Sequence, residues 1–411
     1  MNRILVLLGA SKLGITNGIK LGFKVIIISD RDKYISSEIT KLVEEIYFVK
    51  SLDNEGEVFQ KVRHIMNLYK RIDLILSFTE LGLRTASYIS YELNLPTNPT
   101  KIIDYTRNKA LMREKFLKND ELKLDYNVGY IHEFKVDKLP MCLPFIVKPL
   151  DGFGSKNVFL INHIDEWKEW YVKGNRDYPN IKWILEPFID GPEYSVETVS
   201  SNGNHFILGV TKKETTGSPN FIEIGHSVPG ITSWDFYKKA LDITETSLNV
   251  MGIQYGPGHI EIKWDNKESK FVIIEMHTRP GGDYIPYLHT LSSGIDQYEM
   301  GIRSYYDSSV LETTLPTSKK HSMVKFLTFP EGVLLGKGFV KEKKDVGIKD
   351  WDIYYKIGDR IIKTIDSYSR AGHIIVSTDS KQNSANLLQA FEENLIVKIG
   401  SSSKSNADIE E

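Results

Sequence analysis

The stretch FVIIEMHTRPGGDYIP, residues 271–286, ends an apolar run on Glu275 and then sets His277, Arg279 and Asp283 around a Pro-Gly-Gly turn. A carboxylate, an imidazole and a guanidinium delivered together at a strand end can hold a metal or clamp an anionic group. Just upstream, GHIEIKWDNKESKFVIIEMH reads as a hairpin turning near Asn266 to Glu268, with Glu261 and Glu275 as cross-strand neighbours on one face. Two carboxylates so placed repel, and burying them unpaired is expensive. A Mg2+ shared with phosphate oxygens relieves this, because that ion takes one or two protein carboxylates alongside substrate phosphates. A Glu–Arg salt bridge on a hairpin face would use the same residue types; the setting of both acids inside apolar strands favours the metal.

Two other stretches carry related chemistry. IVKPLDGFGSKNV brings Lys148 off a strand into a loop holding Gly152, Gly154 and Ser155. Such glycines let backbone N–H groups form an anion-binding nest, and lysine adds a point charge suited to phosphate. An ordinary hairpin turn with a surface lysine fits that stretch equally well. WILEPFIDGPEYSVET ends a strand at Glu186, turns at Asp190-Gly191 and begins another strand at Glu193. Backbone groups there suit an adenine edge and a carboxylate suits ribose hydroxyls, although surface glutamates would look the same.

The elements that must position these groups fall into three sections. Residues 3–8, 24–30, 44–50 and 73–78 read as strands, with helices after the first glycine, at 55–70 and at 83–96, so residues 1–100 form a small α/β domain with a parallel sheet. GASKLG lacks the full G-x-G-x-x-G spacing, and a glycine that turns the strand into the helix accounts for it. A helix at about 106–118 follows. Then come strands at PFIVKPL, KNVFLI and WILEPF, a helix at DEWKEWYVKG, a hairpin about Asn202-Gly203, the helix WDFYKKALDITETSLNVMG and the hairpin of Glu261 and Glu275, an α+β arrangement. From residue 312 a third section runs through SMVKFLTFPEGVL and AGHIIVSTDS to a closing helix, and the polar tail 401–411 is expected to be disordered.

A chain of 411 residues implies two or three domains. With 52 basic and 54 acidic residues and a net charge of -2, there is no electrostatic case for a nucleic-acid or membrane-surface partner. No apolar run reaches bilayer length, and the short N-terminal one leads into a glycine turn and a new strand, so a cytoplasmic location is expected. The single cysteine, Cys142, excludes an intramolecular disulfide and thiolate-rich metal sites, and is expected to be a small buried hydrophobe.

Taken in order, Lys109, the segment 148–155, Glu186 to Glu193, Glu261 and EMHTRPGG resemble the ATP-grasp carboxylate ligases over about residues 1–310. GHSVPG, GHIEIK and RPGGDYIP are most similar to the L-amino-acid ligase branch, which includes dipeptide synthetases and enzymes that load amino acids onto carrier proteins. The resemblance implies an N-terminal Rossmann-like pre-ATP-grasp domain (1–100). An ATP-grasp domain (101–311) follows, with a nucleotide-clamping subdomain at about 108–188, and then a C-terminal lid section walling the substrate pocket (312–400). It also implies ATP and two Mg2+ or Mn2+ ions. Lys109 and Lys148 would contact the phosphates and the adenine side, with Gly152, Gly154 and Ser155 in a loop closing over the phosphates. Glu186 and Phe188 would stand at the adenine hinge and Glu193 on the ribose. Glu261 and Glu275 would hold the metal, Arg279 would steady the transferred phosphoryl group, and His226 of IEIGHSVPG would sit near the carboxylate substrate. As a loop histidine, His226 would instead have a backbone partner. Many relatives carry asparagine where this chain has His277. Imidazole is a poor Mg2+ ligand, so either His277 turns aside or the metal preference differs.

The reaction implied is attack of an amino acid carboxylate on ATP, giving an acyl phosphate and ADP, followed by an amine that forms a peptide-type amide. The resemblance also admits a carrier-protein pantetheine thiol as acceptor, as in antibiotic side-chain assembly, and a homodimer. Readings of another class are a nucleotide-binding oxidoreductase built on the N-terminal unit and a non-catalytic ATP-binding relative.

Overall fold

Strands β1 (Arg3–Leu8) and β2 (Phe23–Asp30) are apolar along nearly their whole length because both faces of their sheet are covered. The computed structural model describes residues 3–152, 154, 156–312, 318–340 and 346–400. With β3 (Glu45–Val49) and β4 (Leu74–Leu76) these strands form a parallel sheet ordered β3-β2-β1-β4. Helices α1 (Lys12–Lys20), α2 (Ser37–Leu42), α3 (Glu55–Tyr69) and α4 (Leu83–Glu92) connect them. Side chains alternate along β1: Ile4, Val6 and Leu8 enter one core and Leu5 and Leu7 the other. At the first turn Gly9 has φ +93, and a Cβ there would stand 2.7 Å from Thr79 Oγ1.

The helix expected at 106–118 is two, α5 (Thr100–Arg107) and α6 (Lys109–Phe116). Asn108 separates them. It adopts an extended backbone and its side chain accepts from the N–H groups of Ala110 and Leu111, the capping geometry that asparagine favours over a helix interior. The break starts a new helix whose first turn faces the cavity described below.

A second sheet follows, antiparallel and ordered β5-β8-β6-β7, from β5 (Asn127–Tyr130), β6 (Phe145–Pro149), β7 (Phe159–Ile161) and β8 (Lys182–Pro187). Helix α7 (Ile164–Asp177) packs Trp167 and Trp170 against Phe145 and Trp183 in its core. Cys142 is exposed, against expectation. Met141 and Leu143 pack against this core, and the residue between them takes the opposite parity and faces solvent.

The third sheet holds the site. Its order is β13-β12-β9-β10-β11-β14-β18-β16. The strands are β9 (Glu193–Ser201), β10 (Asn204–Thr215), β11 (Glu223–Val228), β12 (Gly256–Asp265), β13 (Lys270–His277), β14 (His321–Leu327), β16 (Ile348–Ile353) and β18 (Gly372–Thr378). Helix α8 (Trp234–Met251) covers one face with Ala240, Ile243, Leu248 and Met251. Helices α9 (Ile285–Ser293) and α10 (Gln297–Arg303) pack on the same sheet. The section after residue 312 is thus continuous with the one before it: β14, β18 and β16 extend its sheet. Strands β15 (Gly332–Phe339), β17 (Arg360–Ile361) and β19 (Leu395–Gly400) make a separate small sheet, and helix α11 (Lys381–Asn394) packs on β18 and β14. Segment 401–411, expected as a disordered tail, lies outside the described residues. Among the described residues no helix is long and apolar enough to cross a membrane.

Candidate active site

The hairpin β12–β13 pairs Glu261 directly with Glu275, the register expected from its sequence. Both glutamates line a cavity of about 280 Å3 between the second and third sheets. Lys109, Lys148, Gly152, Gly154, Glu186, Phe188, Glu193, His277 and Arg279 line the same cavity. Of the other sequence-derived site residues, His226 stands one layer behind that wall, and Ser155 lies outside the described residues.

Each carboxylate of the pair has a cation. Lys213 Nζ donates to Glu261 Oε1 at 2.8 Å, and Lys109 Nζ stands 3.1 Å from Glu275 Oε1 while donating to the Gly152 carbonyl at 2.7 Å. Burial alone would raise Glu275, but Lys109 and His277 bring it below its ordinary value. Lys213 also lies 3.0 Å from Glu193 and 2.6 Å from Glu223, so one buried ammonium gathers three carboxylates. Burial works against that ammonium, and Glu223, Glu261 and Glu193 nevertheless hold it well above the usual lysine range. On the other side of Glu261, His259 Nε2 lies at 3.3 Å, while His259 Nδ1 hydrogen-bonds the fully buried Glu197 at 2.8 Å. Burial disfavours the imidazolium, but Glu197 and Glu261 bring His259 up to about 9. Gly281 closes over this pair; a Cβ there would stand 2.8 Å from His259 Nδ1, which is why the turn after Arg279 needs glycine.

His277 is held between two carboxylates, Nε2 at 3.5 Å from Glu275 and Nδ1 at 3.5 Å from Glu80. Glu80 comes from the first domain, just past β4, and also accepts from Arg279 Nε at 2.7 Å. Burial would raise Glu80, yet His277 and Arg279 hold it down at about 2. Glu186 is engaged on both oxygens, by Arg113 Nε at 2.5 Å and Lys148 Nζ at 2.7 Å. Phe188 presents its ring to Lys263 and donates its N–H to the Pro144 carbonyl at 3.0 Å. His226 is buried, and neither ring nitrogen has a hydrogen-bond partner among the described residues. Its Nε2 lies 3.7 Å from Asp283 and 3.8 Å from Glu223, and those two acids line the cavity. Asp283 is gripped by Arg370 through two hydrogen bonds of 2.9 and 2.6 Å, and Tyr368 stands over Gly154. The C-terminal section therefore reaches both the glycine loop and the Pro-Gly-Gly turn.

The donor set suits a hard divalent cation. Two carboxylate oxygens face one another across a hairpin, open on a cavity, with ammonium groups in the place where a cation would neutralise them. Sequence reasoning missed Glu80, Arg113, Glu197, Lys213, Glu223, His259 and Arg370. The detectable signal was a charged residue inside an apolar strand, as in GVTKKE and GHIEIK; Glu80 and Arg370 had no such signal.

Residues 141–286 match the family model for the ATP-grasp domain, and residues 325–400 match the L-amino acid ligase C-terminal domain 2. Among similar proteins, an uncharacterised protein of Sinorhizobium fredii is 23% identical over 333 residues, covering 78% of this chain and 67% of that one. The L-arginine-specific L-amino acid ligase of Bacillus subtilis is 22% identical over 301 residues, covering 70% of each. Among solved structures, the L-amino acid ligase from Bacillus licheniformis aligns with a TM-score of 0.83 at 20% identity, over 97% of this chain and 99% of that one. Phosphoribosylglycinamide synthetase from Anaerococcus prevotii aligns at 0.75 and 20% identity, over 97% and 100%.

Proposed function

This chain is an ATP-grasp protein carrying an L-amino acid ligase C-terminal domain, and on that premise we propose that it joins the carboxylate of an amino acid to an amine, converting ATP to ADP and phosphate. The observation that carries the reading is the direct pairing of Glu261 with Glu275 on a cavity that also holds Lys109, Lys148 and Arg279.

In this reading Glu261 and Glu275 would hold Mg2+ or Mn2+, two ions as the resemblance implies, which when bound would supply positive charge against the repulsion between the phosphate and carboxylate anions. Lys109 and Lys148 hold the nucleotide phosphates, and the 151–156 loop excludes water that would hydrolyse an acyl phosphate. Arg279, aimed by Glu80, steadies the transferred phosphoryl group. The acids Glu223 and Asp283 receive the amino acid's ammonium, with His226 behind them. The B. subtilis relative is named for L-arginine, and two acids at the cavity wall are compatible with a cationic substrate. Among the described residues the N-terminal α/β domain contributes none to the cavity wall; it supplies Glu80 to Arg279.

Phosphate release from ATP, measured with pools of amino acids and Mg2+, tests the proposal. Release that depends on an amino acid supports it, and background turnover with every carboxylate and acceptor tried would sink it. Product mass separates a dipeptide from a thioester on a carrier protein. Glu275→Gln is expected to fold normally and lose turnover by about a hundredfold or more, as removal of a group that stabilises transferring charge does; full activity would remove the metal assignment.

A further inference from the structure

Strand β13 changes phase within the site. Phe271, Ile273 and Met276 enter the core under α8, whereas Ile274, Glu275 and His277 all line the cavity. Neighbouring residues of a regular strand face opposite ways, so Ile274 and Glu275 cannot both reach the cavity without an irregularity. The irregularity is a β-bulge: Glu261 pairs with Glu275 and Ile262 with Ile273, leaving Ile274 as the extra residue. Without it Glu275 would point into the apolar core.

β13 is an edge strand of its sheet, so no further strand secures the bulge from outside. Arg113 occupies that place. Its side chain is fully buried, Nη1 donating to the Ile273 carbonyl at 2.7 Å and Nη2 to the Ile274 carbonyl at 3.3 Å. Successive carbonyls of a regular strand point to opposite edges, so one guanidinium takes both only at a bulge. The remaining Nε holds Glu186, whose other oxygen holds Lys148. One helical turn before Arg113, Lys109 lies on the same face of α6 and reaches Glu275 and the Gly152 carbonyl.

We propose that Arg113 is a positioning residue: its guanidinium fixes the bulge that turns Glu275 and Ile274 into the cavity, and links that turn to the Glu186–Lys148 pair of the second sheet. This rests on the reading of Glu275 as a metal ligand. A lysine at 113 keeps a positive charge beside Glu186 but lacks the planar fork that takes two carbonyls at once.

The test compares Arg113→Lys with Glu275→Gln. Mn2+ binding is followed by electron paramagnetic resonance with a non-hydrolysable ATP analogue, and turnover is titrated with Mg2+. Arg113→Lys is expected to stay folded and bind the analogue, while Mn2+ affinity and kcat fall about tenfold to a hundredfold and KM for ATP is unchanged. Faster hydrogen exchange confined to the peptide spanning 271–277 is expected in the same variant. Wild-type Mn2+ affinity and exchange in Arg113→Lys, beside a loss in Glu275→Gln, would overturn the positioning role alone. Unchanged Mn2+ affinity in both variants would overturn the metal reading and this inference with it. Should Arg113→Lys fail to fold, the double variant Arg113→Met/Glu186→Gln, which removes the guanidinium together with the carboxylate it holds, is decided by the same exchange and Mn2+ measurements.

Discussion

Lys213 shows how much of this site is electrostatic construction. Its ammonium meets Glu193, Glu223 and Glu261 within 3.0 Å, and its side chain is 2% exposed. Lys213→Met would leave three partly buried carboxylates without the ammonium they share, so unfolding free energy is expected to fall by about 3 kcal/mol, read from urea denaturation. A loss under 1 kcal/mol would mean that water or side-chain movement already compensates them. His277 is the residue whose role the sequence left open. It stands between Glu80 and Glu275, close enough to Glu275 to share a metal with it. Imidazole suits Mn2+ better than Mg2+, so His277→Asn is expected to lower the ratio of Mn2+-supported to Mg2+-supported turnover. An unchanged ratio would leave His277 as a partner of the two carboxylates only.

The elements were legible where a simple period governs them and illegible where it breaks. Alternation along GHIEIK and FVIIEMH sufficed to bring Glu261 and Glu275 close across one hairpin, but strand period and turn position alone would set Glu261 opposite Ile274, and the bulge puts Glu275 there. The bulge at Ile274 left no mark, since isoleucine suits a core strand and a cavity floor equally. The break at Asn108 was missed for a related reason: the apolar spacing carries on through α5 and α6, and only the asparagine cap interrupts it. Glu186 is an element-level tie between the two antiparallel sheets. Burial would raise its carboxyl, but Arg113 and Lys148 take it down to about 2. A carboxyl depressed in the folded state stabilises above its unfolded value near 4.5 and loses that contribution as pH falls towards 2. Unfolding free energy is therefore expected to drop by up to about 3 kcal/mol between those pH values from this group. Arg113→Met/Glu186→Gln should lack that component; an identical pH profile would show that Glu186 adds nothing to acid stability.

At the scale of the whole molecule, the site is assembled from all three sections. The first domain sends Glu80 to Arg279, the C-terminal section sends Arg370 to Asp283, and Tyr368 covers Gly154. Because β14 pairs with β11 along four residues and β18 and β16 follow, the C-terminal section completes the sheet that carries the β12–β13 hairpin. A chain ending at residue 312 is expected to aggregate or remain partly unfolded, as β11 would become a bare edge and Val228 and Leu288 would lose the cover of Val324, Phe326 and Ile375. A monomeric, cooperatively unfolding 1–312 fragment would disprove that dependence. The sequence by itself determined the α/β unit, the hairpins, most of the cavity's carboxylates and two of its lysines, Lys109 and Lys148, because period and turn chemistry are local. Only the tertiary structure decided which charge answers which. Glu80, Arg113 and Arg370 lie 199, 160 and 87 residues from partners they touch, and no local pattern encodes contacts made by packing separate elements together.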